Sequence, residues 1–135
     1  MSSVLIDTCM WSLAFRRKGS KEIKVAQEIS NLIDENRAKI IGLIRQEVLS
    51  GYSNVRSYTN LRDKLRYFPN VPTIDSDYEL AAEYSNLCRK KGIQGSHADF
   101  LICAVSARSK MKIYTQDKDF QHYSKYLPVE LHKEN

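Results

Sequence analysis

Alternation constrains this chain more than any other feature: short apolar runs take turns with longer stretches of helical spacing. Ser3 to Ile6 (SVLI) is a brief apolar, β-branched run that ends at Asp7, and Trp11 to Phe15 has helical character. Ile23, Ala26, Ile29 and Ile33 recur among charges, so Lys21 to Asn36 is expected as an amphipathic helix before a second strand at Lys39 to Gly42. Leu43 to Leu49 opens another helix, which carries Glu47 and is stopped near Gly51. A basic helical stretch runs from Val55 to Phe68 and halts ahead of Pro69. Val71 to Ile74 is a weak third strand, and Asp75 or Ser76 caps a helix that reaches Lys91 before Gly92. Ser96 to Ser109 is apolar almost all round and is therefore placed centrally. Lys112 to Thr115 forms a fourth strand, a short helical segment follows near Phe120, and Val129 to Leu131 makes a last edge strand.

Strands that alternate with helices imply an α/β fold, with a parallel sheet covered on both faces and ligands at the carboxyl ends of its strands. The 135 residues form one domain, 1–135, without repeat, linker or low-complexity segment. Cys9, Cys88 and Cys103 lack metal-ligand spacing and read as buried free thiols of a reducing compartment. No apolar stretch approaches the roughly 20 residues of a membrane helix. Asp7 interrupts the first apolar run, and no basic segment precedes it as in a signal peptide. The expected location is the cytoplasm, with no membrane partner.

Asp7, Glu47, Asp99 and Asp117 stand out because each follows an apolar segment or opens a helix, and Asp119 is close by. In a parallel sheet Asp7 and Asp117 share one edge, and helices that begin there bring Glu47 and Asp99 beside them. Each position also has an ordinary structural role. Asp99 fits a capping box with Ser96, Asp7 can cap the following helix, Asp117 and Asp119 suit a turn, and Glu47 suits a solvated face. Taken together, carboxylates that share a small space need a cation to relieve their repulsion. Magnesium or manganese, hard ions that prefer oxygen ligands, would do so and would suit phosphodiester hydrolysis.

Four segments carry a family resemblance: V-L-I-D-T-C-M-W at Val4 to Trp11, R-Q-E-V-L-S-G at Arg45 to Gly51, S-H-A-D-F-L-I-C-A at Ser96 to Ala104, and Y-T-Q-D-K-D-F at Tyr114 to Phe120. In this order they resemble the PIN-domain ribonucleases, particularly the VapC toxins of toxin–antitoxin pairs. The resemblance implies a PIN-like fold with about five parallel strands flanked by helices. It also implies a Mg2+- or Mn2+-dependent endoribonuclease, a homodimer, and a cognate VapB-type antitoxin. The family's acids fall on Asp7, Glu47, Asp99 and Asp117, which are the expected catalytic and metal-binding residues. Thr8 and Thr115 match supporting positions, and Asp119 matches an acid whose contact with metal varies.

Hydrolysis by water would leave a 5′-phosphate and a 3′-hydroxyl. RNA needs a basic rim to approach such a site, and 21 Lys and Arg outnumber 16 Asp and Glu. Arg16, Arg17, Lys18 and Lys21 follow the first acid and are the preferred phosphate contacts, although a solvated charged face is the plain reading of each. His97, His122 and His132 are too scattered for a histidine-driven ribonuclease, and a part for His97 beside Asp99 stays open. Trp11 suits core or dimer packing, while Tyr52 and Tyr58 are open as base-stacking surfaces. A phosphoacceptor receiver domain is disfavoured because Asp7 is single and the late strand ends Y-T-Q-D. A DNA flap nuclease would need an added domain to thread a strand. A non-catalytic PIN-like RNA-binding module is the remaining alternative, with tRNA or rRNA as the expected substrate of the enzyme.

Overall fold

The computed structural model describes residues 1–16 and 18–134. Three parallel strands form the sheet: β1 (Val4–Ile6), β2 (Ala38–Lys39) and β3 (Lys112–Tyr114), in the order β2-β1-β3. Val4, Leu5 and Ile6 are all fully buried although successive side chains point to opposite faces, so both faces of the central strand are covered. Chain connections leave β1 first toward β2 and later toward β3. The resulting crevice, at the carboxyl ends of β1 and β3, is where parallel sheets hold ligands.

About five strands were expected and three form. Val71 to Ile74 contributes no strand, because only Asn70 bridges to Ile40, and Val129 to Leu131 reduces to one bridge between Leu131 and Ile113. Proline explains much of this. Val71 donates its N–H to Ile40 O at 2.8 Å, but the next residue, Pro72, has no N–H with which to continue a ladder. Pro128 likewise precedes the segment that reaches Ile113. The second strand also shifts from its expected span, since Gly42 starts a helix.

Seven helices lie among the described residues: α1 (Thr8–Arg16), α2 (Ser20–Asp34), α3 (Gly42–Ser50), α4 (Val55–Leu65), α5 (Asp75–Lys90), α6 (His97–Ser109) and α7 (Asp119–Tyr123). Trp11, on α1, is buried and donates its indole N–H to Ile6 O at 3.0 Å, which locks α1 against the end of β1. The apolar run predicted to be central is so, with Ile102, Cys103, Ala104, Val105 and Ser106 of α6 all buried. Asn54 caps α4 by accepting the Ser57 N–H at 3.0 Å. Gly92 ends the α5 region with φ +75, a left-handed conformation that glycine adopts without steric penalty.

Cys88 and Cys103 are buried free thiols as expected, whereas Cys9 is only half-buried and lies beside Asp7. No described helix is long and apolar enough to cross a membrane.

Candidate metal centre

Asp7 occupies the step between β1 and α1. Its N–H continues the sheet by donating to Tyr114 O at 3.0 Å, and its Oδ1 accepts the N–H of Thr8, the first residue of α1, at 2.8 Å. Oδ2 accepts the Thr115 hydroxyl at 2.8 Å and lies 3.7 Å from the Cys9 thiol. The same Thr115 oxygen accepts the Asp117 N–H at 3.0 Å, and Asp117 Oδ1 accepts the Asp119 N–H at 2.9 Å. Thr115 therefore joins the ends of β1 and β3 and sets the turn that carries Asp117 and Asp119.

Asp99 arrives from the first turn of α6. Ser96 is the cap there, since its Oγ accepts the Asp99 N–H at 3.0 Å. Capping uses the amide of Asp99 and leaves its carboxylate free to turn toward the sheet edge. One carboxylate oxygen, Oδ2, accepts the Tyr123 hydroxyl at 2.7 Å. Ligand oxygens of Asp99, Asp117 and Asp119 lie within 4.8 Å of one another, so the structure gives Asp119 a more central position than its sequence suggests. Glu47 is exposed on α3 and is tied to the cluster by the Thr8 hydroxyl, which donates to its Oε1 at 2.8 Å.

The electrostatics follow from this crowding. Burial pushes the Asp7 carboxyl above its ordinary range, and the Glu47 charge adds to that, against the hydrogen bonds from Thr115, Thr8 and Cys9. Asp99 is also raised, by burial first and then by the charges of Asp117 and Asp7, while its bonds with Tyr123 and Ser96 oppose the shift. Among the described residues no lysine or arginine forms an ion pair with Asp7, Glu47, Asp99, Asp117 or Asp119. An all-oxygen donor set without a basic partner among the described residues fits a hard divalent ion.

The other expected residues lie elsewhere. Arg16, Lys18 and Lys21 are exposed, and Arg16 ends α1, about 13 Å along the helix from Asp7 at 1.5 Å per residue. Arg17 lies outside the described residues. His97 is exposed and lines a groove between α5 and α6 with Tyr78, Ser85 and Phe100, not the acidic cluster. Tyr123 and Cys9 are the residues that sequence reasoning passed over. Cys9 could have been found by its place two residues after Asp7, at the start of α1, but no local spacing marks Tyr123.

The sequence profile of the PIN domain matches residues 4–126, which is nearly the whole chain. This chain belongs to the PIN domain family. No curated protein matches it significantly in sequence. Solved structures match its fold over almost their full length. FitAcB from Neisseria gonorrhoeae superposes with a TM-score of 0.78 at 18% identity, covering 96% of each chain. VapBC2 from Rickettsia felis, bound to a DNA fragment from their promoter, gives 0.77 at 14% identity over 98% of each chain. VapBC-1 from nontypeable Haemophilus influenzae gives 0.74 at 11% identity over 96% of each. At such identities the likeness establishes the fold, and the PIN domain here shares it while carrying its own surface.

Proposed function

We propose that this PIN domain is a Mg2+- or Mn2+-dependent endoribonuclease that acts as the toxin of a type II toxin–antitoxin module. The observation that carries the reading is the set of carboxylates at the β1–β3 edge, where burial first and neighbouring acids second raise Asp7 and Asp99, yet without a basic partner among the described residues. Asp99, Asp117 and Asp119 would hold the ion, with Asp7 and Glu47 completing the site directly or through water. A bound divalent ion supplies an acidified water and neutralises charge that grows on the phosphate. Asp7 is fixed for this task by Thr8 and Thr115, and Asp117 by Thr115, so the ligands are oriented before any substrate arrives.

RNA, with tRNA or rRNA the favoured class, would run from the carboxylates toward the basic end of α1. Arg16, Lys18 and Lys21 would then meet phosphates away from the scissile bond, which suits a net charge of +5. The paired names of the fold neighbours, VapBC and FitAB, support a VapB-type antitoxin as partner, and the same resemblance supports a homodimer. With such a substrate the protein would act in the cytoplasm.

Cleavage of total cellular RNA by the purified protein and by Asp7→Ala, each in Mg2+, Mn2+ or chelator, tests the proposal. Discrete metal-dependent fragments with 5′-phosphates are expected from the first protein, and a loss of at least about 100-fold is expected from the variant. Equal cleavage by both, or cleavage in chelator, would sink the carboxylate–metal mechanism. Binding of RNA without cleavage in any metal would leave a non-catalytic RNA-binding module as the function.

A further inference from the structure

We propose that Tyr123 is a positioning residue of the metal centre: its hydroxyl clamps Oδ2 of Asp99 and so fixes the direction in which that carboxylate faces the other acids, and Gly95 provides the slot through which the hydroxyl passes. The inference rests on the reading of the acidic cluster as a metal site.

Three observations support it. The hydroxyl donates to Asp99 Oδ2 at 2.7 Å, a bond that reaches this carboxylate from a helix 24 residues further along the chain. Its ring is fully buried between Phe100, at a centroid distance of 5.1 Å, and Phe120, at 5.2 Å, which leaves the phenol no freedom to swing away. A Cβ built on Gly95 would stand 2.4 Å from the Tyr123 oxygen and 2.8 Å from Phe100 Cζ, so any larger residue would displace the phenol or the ring that aligns it.

The placement also has a mechanical meaning. Tyr123 belongs to α7, which starts at Asp119, directly after the turn that carries Asp117. Its bond to Asp99 on α6 therefore fastens together the two segments that supply the three closest ligand oxygens. Held at Oδ2 by the phenol, the Asp99 carboxylate would face an ion in one fixed orientation. Without the phenol, the half-buried carboxylate would be free to rotate, and a donor that orients a ligating carboxylate is worth about 10-fold or more in metal affinity.

Titration of Mn2+ into the metal-free protein, followed by the electron paramagnetic resonance signal of the free ion, tests this directly. Tyr123→Phe keeps the ring and is expected to weaken Mn2+ binding about 10-fold while circular dichroism stays unchanged. Tyr114→Phe is the matched control, because Tyr114 is also buried and donates to a carboxylate, that of Glu134, away from the acidic cluster. Its Mn2+ affinity should match that of the unaltered protein. Gly95→Ala, which pushes the phenol aside by volume, should weaken binding as Tyr123→Phe does.

Mn2+ affinity unchanged in either Tyr123→Phe or Gly95→Ala would overturn the positioning role and reduce Tyr123 to a packing residue. Equal weakening in Tyr114→Phe would overturn it too, since the effect would then be general loosening. If the unaltered protein binds no Mn2+, the metal-centre reading itself fails and takes this inference with it.

Discussion

Asp77 and Asp7 are both buried carboxylates at the start of a helix, and the chain treats them in opposite ways. Asp77, the third residue of α5, is fully buried and is gripped by the Arg108 fork, with Nε at 2.5 Å and Nη2 at 2.9 Å, while it also accepts the Ile74 N–H. Burial alone would raise its pKa, but the Arg108 and Ile74 bonds hold it below the usual carboxylate range. Asp7, 8% exposed, has hydroxyl and amide donors but no cation among the described residues, and its pKa is raised. The fold can evidently neutralise a buried acid where structure requires it. At the β1–β3 edge it supplies orientation and withholds the charge, which is the division of labour expected where an external ion completes the site.

Exchanging charge for amide at the two positions should break this symmetry most visibly. Asp77→Asn is expected to lower stability by about 1.5–3 kcal/mol, the worth of hydrogen bonds to a charged group, without changing Mn2+ affinity. Asp7→Asn in chelator should leave stability equal or higher, because one of the crowded charges is gone. Urea unfolding measures both, and a large loss of stability in Asp7→Asn would show that Asp7 is structural after all.

Acid titration should sharpen the contrast through its sign. Asp77 has a depressed folded pKa, so its contribution is fully present above the unfolded value of about 3.9 and is lost as pH falls through the lower folded value. Asp7 and Asp99 have raised folded values, so stability in chelator should rise as pH falls through them and stop rising near about 3.9. Each titrating proton changes stability by at most about 1.4 kcal/mol per pH unit. Melting temperatures across pH should therefore pass through a maximum on the acidic side in chelator. Asp7→Asn should shrink the rise and Asp77→Asn should shrink the subsequent fall; a monotonic decline from neutral pH would contradict the raised pair.

The smallest effect is expected at Ser96. Its hydroxyl caps α6 through the Asp99 amide, and Ser96→Ala should lower stability by about 1 kcal/mol. Thermal melts measure it, and a loss several times larger would mean that the cap also secures the Asp99 carboxylate.

Much of this arrangement is legible in the sequence because its signals are local. The SVLI run, the spacing of Ile29 and Ile33, and the cap at Ser96 are short-range patterns, and the parallel sheet they imply brings Asp7 and Thr115 together. What escapes is fixed by distance along the chain. Asp77 and Arg108 are 31 residues apart, Asp99 and Tyr123 are 24 apart, and Glu28 meets His132 across 104. No periodicity joins such pairs; only the docking of helices does. The two missing strands erred differently: each survives as one parallel bridge, Ile40 with Asn70 and Ile113 with Leu131, and Pro72 lacks the amide with which the first could have continued. The approach of Asp119 to Asp99 escaped for the same reason, since a turn residue shows its neighbours only once the turn has closed.

Those two bridges have a consequence for behaviour at high concentration. Beyond β2, Ile40 O is already taken by the Val71 amide; beyond β3, Ile113 gives its N–H to Glu130 O and accepts that of His132. Both margins of the sheet are thus closed by single strokes of irregular chain, one of them flanked by Pro69 and Pro72. A strand from a neighbouring molecule finds no run of open amides on which to grow, so the narrowness of the sheet itself guards the protein against edge-to-edge aggregation.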